Sequence, residues 1–292
     1  MSSARCSAIF IPGAKGLADD RWQDAALPQP PLTLSALWRV IRRGVPLALL
    51  VFGGLLVLLI VRLIERPLYG QRRPITPYIT QMVCRTAFRV MGIRYSSRGV
   101  PMQGPGAVVA NHASWLDIFA LNARKRIYFV SKAEVAAWPG IGWLARATGT
   151  VFIKRDRREA ASQIAVFRER LAVGHKLLFF PEGTSTDGLR VLPFKPTLFA
   201  AFFDPDLAQR LQLQPVTVRY TAPKGLDPRF YGWWGDMDFG PHLLQILAQK
   251  RQGSVTVQYH PPVRLMDFTD RKALAKTLED KVRSGLPPHE GT

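Results

Sequence analysis

The feature that most constrains the fold of this chain is an apolar segment without a charged residue, Gly44 to Val61. As a helix, its 18 residues would span about 27 Å, just enough to cross the hydrocarbon core of a bilayer. Such a segment can cross a membrane, lie in one leaflet as an arm of a helical hairpin, or form a buried core helix. Its Leu, Val and Ile content and its arginine flanks favour an N-terminal membrane-anchoring helix or helical hairpin. Because arginines lie at both ends, the positive-inside rule barely selects an orientation.

The net charge of +19, from 40 basic and 21 acidic residues, predicts a polyanionic partner. Nucleic acid and the anionic face of a bilayer both meet that requirement. The arginines gather around the apolar segment, and the sequence has no helix-turn-helix, RNA-recognition or zinc-finger pattern. We therefore expect an anionic membrane surface and no nucleic acid as partner. Cys6 and Cys84 make no disulfide framework, which is typical of a cytosolic catalytic domain.

Changes in composition divide the chain. The first 31 residues have no apolar periodicity and end in a cluster of prolines. After the apolar segment, Arg85 and Arg89 interrupt a helical apolar pattern, which suits a helix at the membrane interface or one packed on the domain. We predict a disordered leader (1–31), a membrane anchor (32–98, with an apolar helix over 44–64 and an amphipathic helix over 78–91), a catalytic domain (99–286) and a tail (287–292).

From about residue 99, short apolar runs alternate with helical periodicity. The predicted strands cover residues 107–110, 127–131, 150–153, 176–180, 215–220 and 254–259, and the predicted helices cover 116–124, 133–148, 157–173, 241–252 and 271–284. This alternation predicts an α/β fold with a mostly parallel central sheet flanked by helices. The ligand site of such a fold lies beyond the carboxyl ends of the strands.

A histidine and an aspartate five residues apart, His112 and Asp117, follow the first of these strands. On a regular helix they would lie about 140° apart, so they can meet only if the chain turns between them. Ser114 is a good N-cap, which places His112 in a strand-to-helix turn and Asp117 in the first helical turn. Asp117 can then hold the imidazole in one tautomer, as the aspartate of a catalytic triad does. The alternative is a histidine that is simply satisfied in a tight turn.

Three further stretches with candidate chemistry fall at predicted strand ends. Lys132 stands at a helix start, an electrostatically poor position for a cation unless it faces a developing anion. Lys154 and Arg155 end a strand, and one of them can bind a phosphate. Glu182 lies in a turn between proline and glycine, which suits a backbone that approaches a ligand closely. The plainer interpretations are solvated surface cations and an ordinary turn.

Four short motifs follow one another in this part of the chain. They are Asn111-His112-x4-Asp117, Gly149-x-x-Phe152-Ile153-x-Arg155, Pro181-Glu182-Gly183-Thr184 and Pro215-Val216-Thr217. In this order, and after an apolar anchor, they resemble the motifs of the lysophosphatidic acid acyltransferase (glycerolipid acyltransferase) family. The resemblance implies the glycerolipid acyltransferase fold on a membrane anchor. It also implies transfer of a fatty acyl group from acyl carrier protein or coenzyme A to a lysolipid hydroxyl, with no other cofactor.

The resemblance implies a role for each motif. His112 takes the proton from the lipid hydroxyl, and Asp117 orients the ring and stabilises the imidazolium. No covalent acyl-enzyme is implied, and neither a cysteine nor an elbow serine argues for one. Lys132 is our candidate for stabilising the oxyanion. The residues predicted to bind acceptor or donor are Asn111, Phe152, Lys154, Arg155, Glu182, Gly183, Thr184 and Ser185, with Arg155 as the main anion contact.

Ser185 departs from the family pattern, because lysophosphatidate enzymes commonly have an arginine there to meet the acceptor's phosphate. Arg190 or Lys195 can substitute, although the motif places neither. The stretch Tyr231 to His242 resembles the branch of the family in bacteria that make ornithine lipids. Lyso-ornithine lipid has a free hydroxyl and no phosphate, so it is slightly favoured as acceptor, and lysophosphatidate is the alternative. The expected location is the inner membrane of a bacterium, with the catalytic domain facing the cytoplasm.

Two further alternatives concern residues named above, the first a metal site and the second a different enzyme class. Asp236, Asp238 and His242 have side chains of the metal-ligand type. With no fourth ligand in register and tryptophans beside them, a structural or substrate-flanking loop is the preferred interpretation, and no metal is expected. The rival enzyme class is a serine or metal hydrolase that uses His112 and Asp117 on an ester and releases free fatty acid without an acceptor.

Overall fold

The computed structural model describes residues 33–104, 106–153, 160–203 and 211–287. The predicted leader lies outside the described residues, as do the last five residues of the chain. Two of the predicted ligand-binding residues, Lys154 and Arg155, also lie outside them.

The apolar segment lies inside one long helix, α1 (Leu34–Tyr69), which begins well before the predicted boundary at residue 44. Its first turn is capped by Thr33, whose hydroxyl accepts a hydrogen bond from the backbone N–H of Ala36 at 3.2 Å. Gly70, with a φ of 57°, ends the helix. α1 is long and apolar enough to cross a membrane, and only 11% of its most apolar 18-residue window is buried. It is therefore not a buried core helix.

A second helix, α2 (Thr76–Met91), returns along α1. Glu65 near the end of α1 bonds to Thr76 at the start of α2, whereas Gly92 at the end of α2 lies beside Arg43 in the first half of α1. Between these points the two helices approach so closely that a Cβ on Gly54 would lie 2.5 Å from Val83 Cγ2. The two helices therefore form an antiparallel helical hairpin.

One face of α2 packs on the rest of the molecule through Cys84, Ala87, Phe88 and Met91. This is the packed helix that the sequence allowed as an alternative to an interfacial one. Tyr78 and Met82 on its other face are exposed, and an interfacial position of that face stays a prediction.

The described residues form an eight-stranded sheet in which seven strands follow the order β1-β7-β6-β2-β5-β3-β4, with β8 paired to β6. The strands are β1 (Arg94–Arg98), β2 (Gly106–Ala110), β3 (Tyr128–Lys132), β4 (Val151–Ile153), β5 (Leu177–Phe179), β6 (Gln212–Thr221), β7 (Ser254–Tyr259) and β8 (Val263–Arg264). β6 is antiparallel to β7 and β8, and the other pairings are parallel. The predicted α/β class with a mostly parallel sheet is confirmed.

The remaining helices cover both faces of the sheet. They are α3 (Asp117–Asn122), α4 (Ile141–Thr148), α5 (Ala160–Ala172), α6 (Phe239–Ala248) and α7 (Arg271–Arg283), with 3₁₀ helices at Ala133–Ala137, Pro196–Phe203 and Leu265–Asp267. The single helix predicted over residues 133–148 is wrong. Pro139 and Gly140 separate a 3₁₀ turn from α4, and Gly140 has a φ of 71°, which interrupts a helix.

Alternate residues of β2 show how the core is divided. Val108 and Ala110 belong to an apolar cluster with residues of α2, α3 and α6, whereas Ala107 and Val109 belong to a second cluster with residues of α5 and α7. Because successive side chains of a strand point to opposite faces, the fully buried β2 is the centre of a three-layer arrangement. Leu47 of α1 also belongs to the first cluster, so the α1–α2 hairpin packs on this face of the sheet.

Candidate active site

The turn between β2 and α3 brings His112 and Asp117 together. The distance from His112 Nδ1 to Asp117 Oδ2 is 2.7 Å. The Asp117 side chain is completely buried, whereas 22% of the His112 side chain is exposed. The turn brings the two side chains together as the five-residue spacing predicted. The predicted N-cap at Ser114 is wrong, because α3 begins at Asp117 with Leu116 at its N-cap, and the buried Ser114 hydroxyl has no hydrogen-bond partner among the described residues.

Four donors of the chain converge on the Asp117 carboxylate. Besides His112, the backbone N–H groups of Ala113 and Ser114 donate to Oδ2 at 2.8 and 3.0 Å. The hydroxyl of Tyr220 donates to Oδ1 at 2.8 Å. A carboxylate can only accept, so His112 carries its proton on Nδ1, and Nε2 is the nitrogen that can receive another proton.

Tyr220 was missed in the sequence. It lies near the end of β6, 103 positions from Asp117, and it is buried. Burial, followed by the nearby charge of Asp117, raises the pKa of Tyr220 well above its ordinary value, so this residue stays a donor. The available signal was its place at the carboxyl end of a predicted strand, next to the Pro215-Val216-Thr217 motif.

The strand β5 supplies the second wall of the site. The ring of Phe180 stacks on the imidazole of His112, with 4.1 Å between ring centroids and 11° between planes. Two residues later, Glu182 accepts hydrogen bonds from the backbone N–H groups of His112 and Leu192, both at 2.7 Å. The Glu182 carboxyl group therefore ties the His112 turn to the chain that follows β5.

Burial raises the pKa of Glu182 to about 8, and the nearby Asp117 adds to the rise. The hydrogen bonds from Leu192 and His112 act in the opposite direction. Glu182 is thus a buried structural support of the His112 turn, with a pKa raised towards neutral pH.

The turn after Glu182 closes over the same site. Gly183 has a φ of 77°, and the backbone N–H of Thr186 donates to the carbonyl oxygen of His112 at 2.8 Å. Thr184 is exposed and Ser185 is half-buried. The loop is held by Asp187, a buried carboxylate that pairs with Arg190 at 3.1 Å.

The other predicted binding residues differ in their surroundings. Asn111 is fully buried, donates to the carbonyl oxygen of Val218 and accepts from its N–H at 2.9 and 2.8 Å. These contacts join β2 to β6, and a direct contact of Asn111 with substrate stays a prediction. Lys132 is the exposed last residue of β3, opposite Ile153 in register, and Phe152 is half-buried in β4. Both stand at the carboxyl edge of the sheet, as predicted.

Helix α6 and the stretch before it also pack on this turn. The indole N–H of Trp115 donates to His242 Nδ1 at 3.0 Å, and His242 Nε2 lies 3.3 Å from the carbonyl oxygen of Phe230. Burial lowers the pKa of His242 to about 4, so the ring is neutral and bridges two parts of the chain. No cluster of metal-ligand residues is present in the part of the chain that the structure describes.

A histidine held by a buried carboxylate at the carboxyl edge of an α/β sheet is an arrangement typical of general-base enzymes. Residues 87–219 match the model of the acyltransferase family. The chain belongs to the acyltransferase family.

The chain is similar to lyso-ornithine lipid O-acyltransferase of Rhodobacter capsulatus, with 60% identity over 90% of this chain and 95% of that protein. It is 33% identical to 1-acyl-sn-glycerol-3-phosphate acyltransferase of Neisseria gonorrhoeae, over 61% of this chain and 68% of the other. The fold is similar to the crystal structure of the 1-acyl-sn-glycerophosphate acyltransferase PlsC of Thermotoga maritima. That match has a TM-score of 0.54 and 22% identity, and it covers 83% of this chain and 95% of the other.

Proposed function

We propose that this chain transfers a fatty acyl group from an acyl thioester to the free hydroxyl of lyso-ornithine lipid at a membrane. The observation that carries the chemistry is the pairing of His112 with the buried Asp117 at the carboxyl edge of the sheet. The similarity to the Rhodobacter capsulatus enzyme supports the acceptor.

In the proposed reaction, His112 Nε2 takes the proton of the acceptor hydroxyl while its oxygen attacks the thioester carbonyl. The new C–O bond forms, the C–S bond breaks, and the proton on the imidazolium passes to the departing sulfur. Asp117 stabilises the transient imidazolium and keeps the ring oriented. Its four hydrogen bonds are formed before substrate arrives, so little reorganisation accompanies the reaction.

Lys132 remains our candidate for stabilising the tetrahedral oxyanion. It ends β3 at the carboxyl edge of the sheet, and Phe180, which stacks on both His112 and Phe129 of β3, connects that strand to the His112 turn. A cation at this edge lowers the energy of a developing negative charge. The donor, acyl carrier protein or coenzyme A, supplies the acyl chain, and the proposal needs no cofactor besides this co-substrate.

The Ser185 turn favours an acceptor without a phosphate. The arginine of the lysophosphatidate pattern is replaced by a half-buried serine, and Arg190, a possible substitute, is bonded to Asp187. An arginine that pairs with a buried carboxylate is a poor partner for a second anion. Lysophosphatidate stays the alternative acceptor, because of the similarity to the Neisseria gonorrhoeae enzyme.

The α1–α2 hairpin provides the membrane attachment in this proposal. The exposed fractions of Leu49, Leu56 and Leu63 on α1 are 70%, 60% and 76%. Leaving these side chains in water is unfavourable, and contact with lipid removes that cost. The proposed location is the inner membrane of a bacterium, with the catalytic domain on the cytoplasmic side.

The test is an assay of the purified full chain in detergent with lyso-ornithine lipid, lysophosphatidate or no acceptor. Each acceptor is combined with acyl carrier protein and coenzyme A thioesters. We expect product with lyso-ornithine lipid and none for His112→Ala, because the variant has no base. Faster transfer to lysophosphatidate would select the alternative acceptor. Release of free fatty acid without any acceptor would identify a hydrolase instead.

A further inference from the structure

A cleft at the amino-terminal edge of the sheet carries a concentration of positive charge. It has a volume of about 380 Å³ and lies between the α1–α2 connection, the entry to β3 and the entry to β5. We call it the cationic cleft, and its charged lining residues are Arg72, Arg73, Lys125, Arg126 and Lys176. The catalytic turn lies at the opposite edge, a strand length away, so this cleft is not part of the active site.

The chain supplies little negative charge to the cations of the cleft, because Glu65, a carboxylate near Arg73, is itself paired with Arg62. Among the described residues that line it, none is a carboxylate. Burial, followed by repulsion from Lys176 and Arg126, lowers the pKa of Lys125 to about 8. The pKa of Lys176 is lowered by burial and by Arg126. Like charges held together in this way raise the free energy of the folded state unless an anion joins them.

His175 gives a second, independent indication. It lines the cleft with only 5% of its surface exposed, and neither ring nitrogen has a hydrogen-bond partner among the described residues. Burial, followed by the nearby Arg170 and Arg73, lowers the pKa of His175 to about 3, so the ring is neutral and carries one N–H donor. Nε of Arg73 is also buried without a partner among those residues. Buried donors of this kind are normally hydrogen-bonded.

The position of the cleft relates it to the membrane hairpin. Tyr69 to Pro77, which forms one wall, follows directly on the apolar helix α1. Arg73 is shared with a neighbouring groove of about 770 Å³, in which Leu55, Leu59 and Trp143 lie beside arginines. An amphiphile with its phosphate in the cleft would therefore find apolar surface for its chains next to it.

We propose that the cationic cleft binds a phosphate oxyanion. The source is the headgroup of an anionic phospholipid in the membrane that holds α1, or a soluble phosphate. Arginine and lysine are the side chains that bind phosphate most strongly, and His175 and Arg73 contribute donors that the chain leaves unused. The cationic cleft lies apart from His112, so phosphate binding there does not depend on the proposed reaction at His112.

The experiment measures thermal unfolding of the purified full chain in micelles of an uncharged detergent. One arm compares inorganic phosphate with chloride at equal ionic strength, and the other compares dihexanoyl phosphatidylglycerol with dihexanoyl phosphatidylcholine. We expect a concentration-dependent rise in the unfolding temperature with the phosphate-bearing anion. A rise in both arms identifies any phosphate as ligand, and a rise with phosphatidylglycerol alone identifies a lipid headgroup.

The decisive variant is Lys125→Gln with Lys176→Gln, and its control is Arg271→Gln with Lys272→Gln on exposed positions of α7. Both remove two positive charges. The cleft variant should unfold at the same or a higher temperature without ligand, because repulsion is relieved. Its affinity for the anion should fall about tenfold or more, as the charge-assisted bonds are lost. The control should bind like the unaltered chain.

Three results would overturn the proposal. The first is the absence of any response to phosphate and to phosphatidylglycerol, and the second is an equal loss of binding in the cleft variant and the control. The third is an unstable cleft variant in the absence of ligand, because that would show that the two lysines support the fold.

Discussion

At the carboxyl edge of the sheet, one buried carboxylate, that of Asp117, is surrounded by four donors from the same chain. At the amino edge, several cations and the buried His175 surround a cleft whose described lining residues include no carboxylate. At one end of the strands, the chain therefore fully compensates a buried negative charge. At the other end, a strand length away, it leaves a group of positive charges without full compensation.

This difference in charge compensation leads to different expectations for the two sites. A compensated charge is rigid and ready, which suits a group that must orient a base during a reaction. A cluster of uncompensated like charges destabilises the folded state, and a bound ligand of opposite charge removes that destabilisation. Removing a polar group should therefore lower activity or stability at the first site, whereas at the second it should lower only ligand binding.

The largest effect is expected from Asp117→Asn. The amide can present an N–H to His112 Nδ1, which favours the tautomer with its proton on Nε2 and removes the base. We expect the turnover rate to fall by about 10⁴-fold, as in triad enzymes whose aspartate becomes asparagine. The rate is measured at saturating acceptor and donor. Asp267→Asn, at an exposed ion pair with Arg264, is the control.

Phosphate binding at the cationic cleft should be the same in Asp117→Asn as in the unaltered chain. A rate within tenfold of the original would contradict the orienting role of Asp117. If Asp117→Asn also lost phosphate binding, the active site and the cationic cleft would not be independent of each other.

Tyr220→Phe should have a smaller effect. It leaves Asp117 Oδ1 buried with one hydrogen bond fewer, which costs about 1–3 kcal/mol. We expect that much loss of stability in denaturant unfolding, and a rate lower by about 5-fold to 100-fold if the bond tightens during the reaction. Tyr259→Phe is a matched control, because its hydroxyl is buried without a partner among the described residues. Equal losses in the two variants would show that Asp117 does not depend on Tyr220.

The smallest effect concerns Glu182 and the pH. Because its pKa of about 8 in the folded chain lies above the ordinary value, the folded state holds this proton more tightly than the unfolded state. The contribution of this proton to the free energy of unfolding is fully present below about pH 4.5. It is lost as the pH rises to about 8. Glu182→Gln does not titrate, so its unfolding free energy should fall less steeply between pH 5 and about 8.

The comparison uses unfolding midpoints at several pH values within that window. Glu134→Gln, on an exposed 3₁₀ helix, should keep the slope of the unaltered chain. Parallel curves for Glu182→Gln and the unaltered chain would mean that Glu182 is ionised throughout the range.

Local sequence determined the features that depend on neighbours along the chain. The uncharged apolar segment favoured a membrane-anchoring helix or helical hairpin over a buried core helix, and the alternation of apolar runs predicted a mostly parallel sheet. The pairing of His112 with Asp117 was accessible because a single turn separates them. The edge strand β1 could not be predicted in this way. Among the described strands it pairs with β7 alone, and it is exposed at alternate positions, without the apolar run of a central strand.

Tertiary structure alone decided which distant groups meet. Tyr220 reaches Asp117 across 103 positions, and the cationic cleft gathers residues from the α1–α2 connection and the entries to β3 and β5. The sequence predicted Glu182 as a binding residue, but it could not predict its hydrogen-bond partners. These are backbone N–H groups, which every residue except proline has, so no pattern of side chains identifies them. Hydrogen bonds and burial set the behaviour of each polar group, and both depend on contacts that only the folded chain creates.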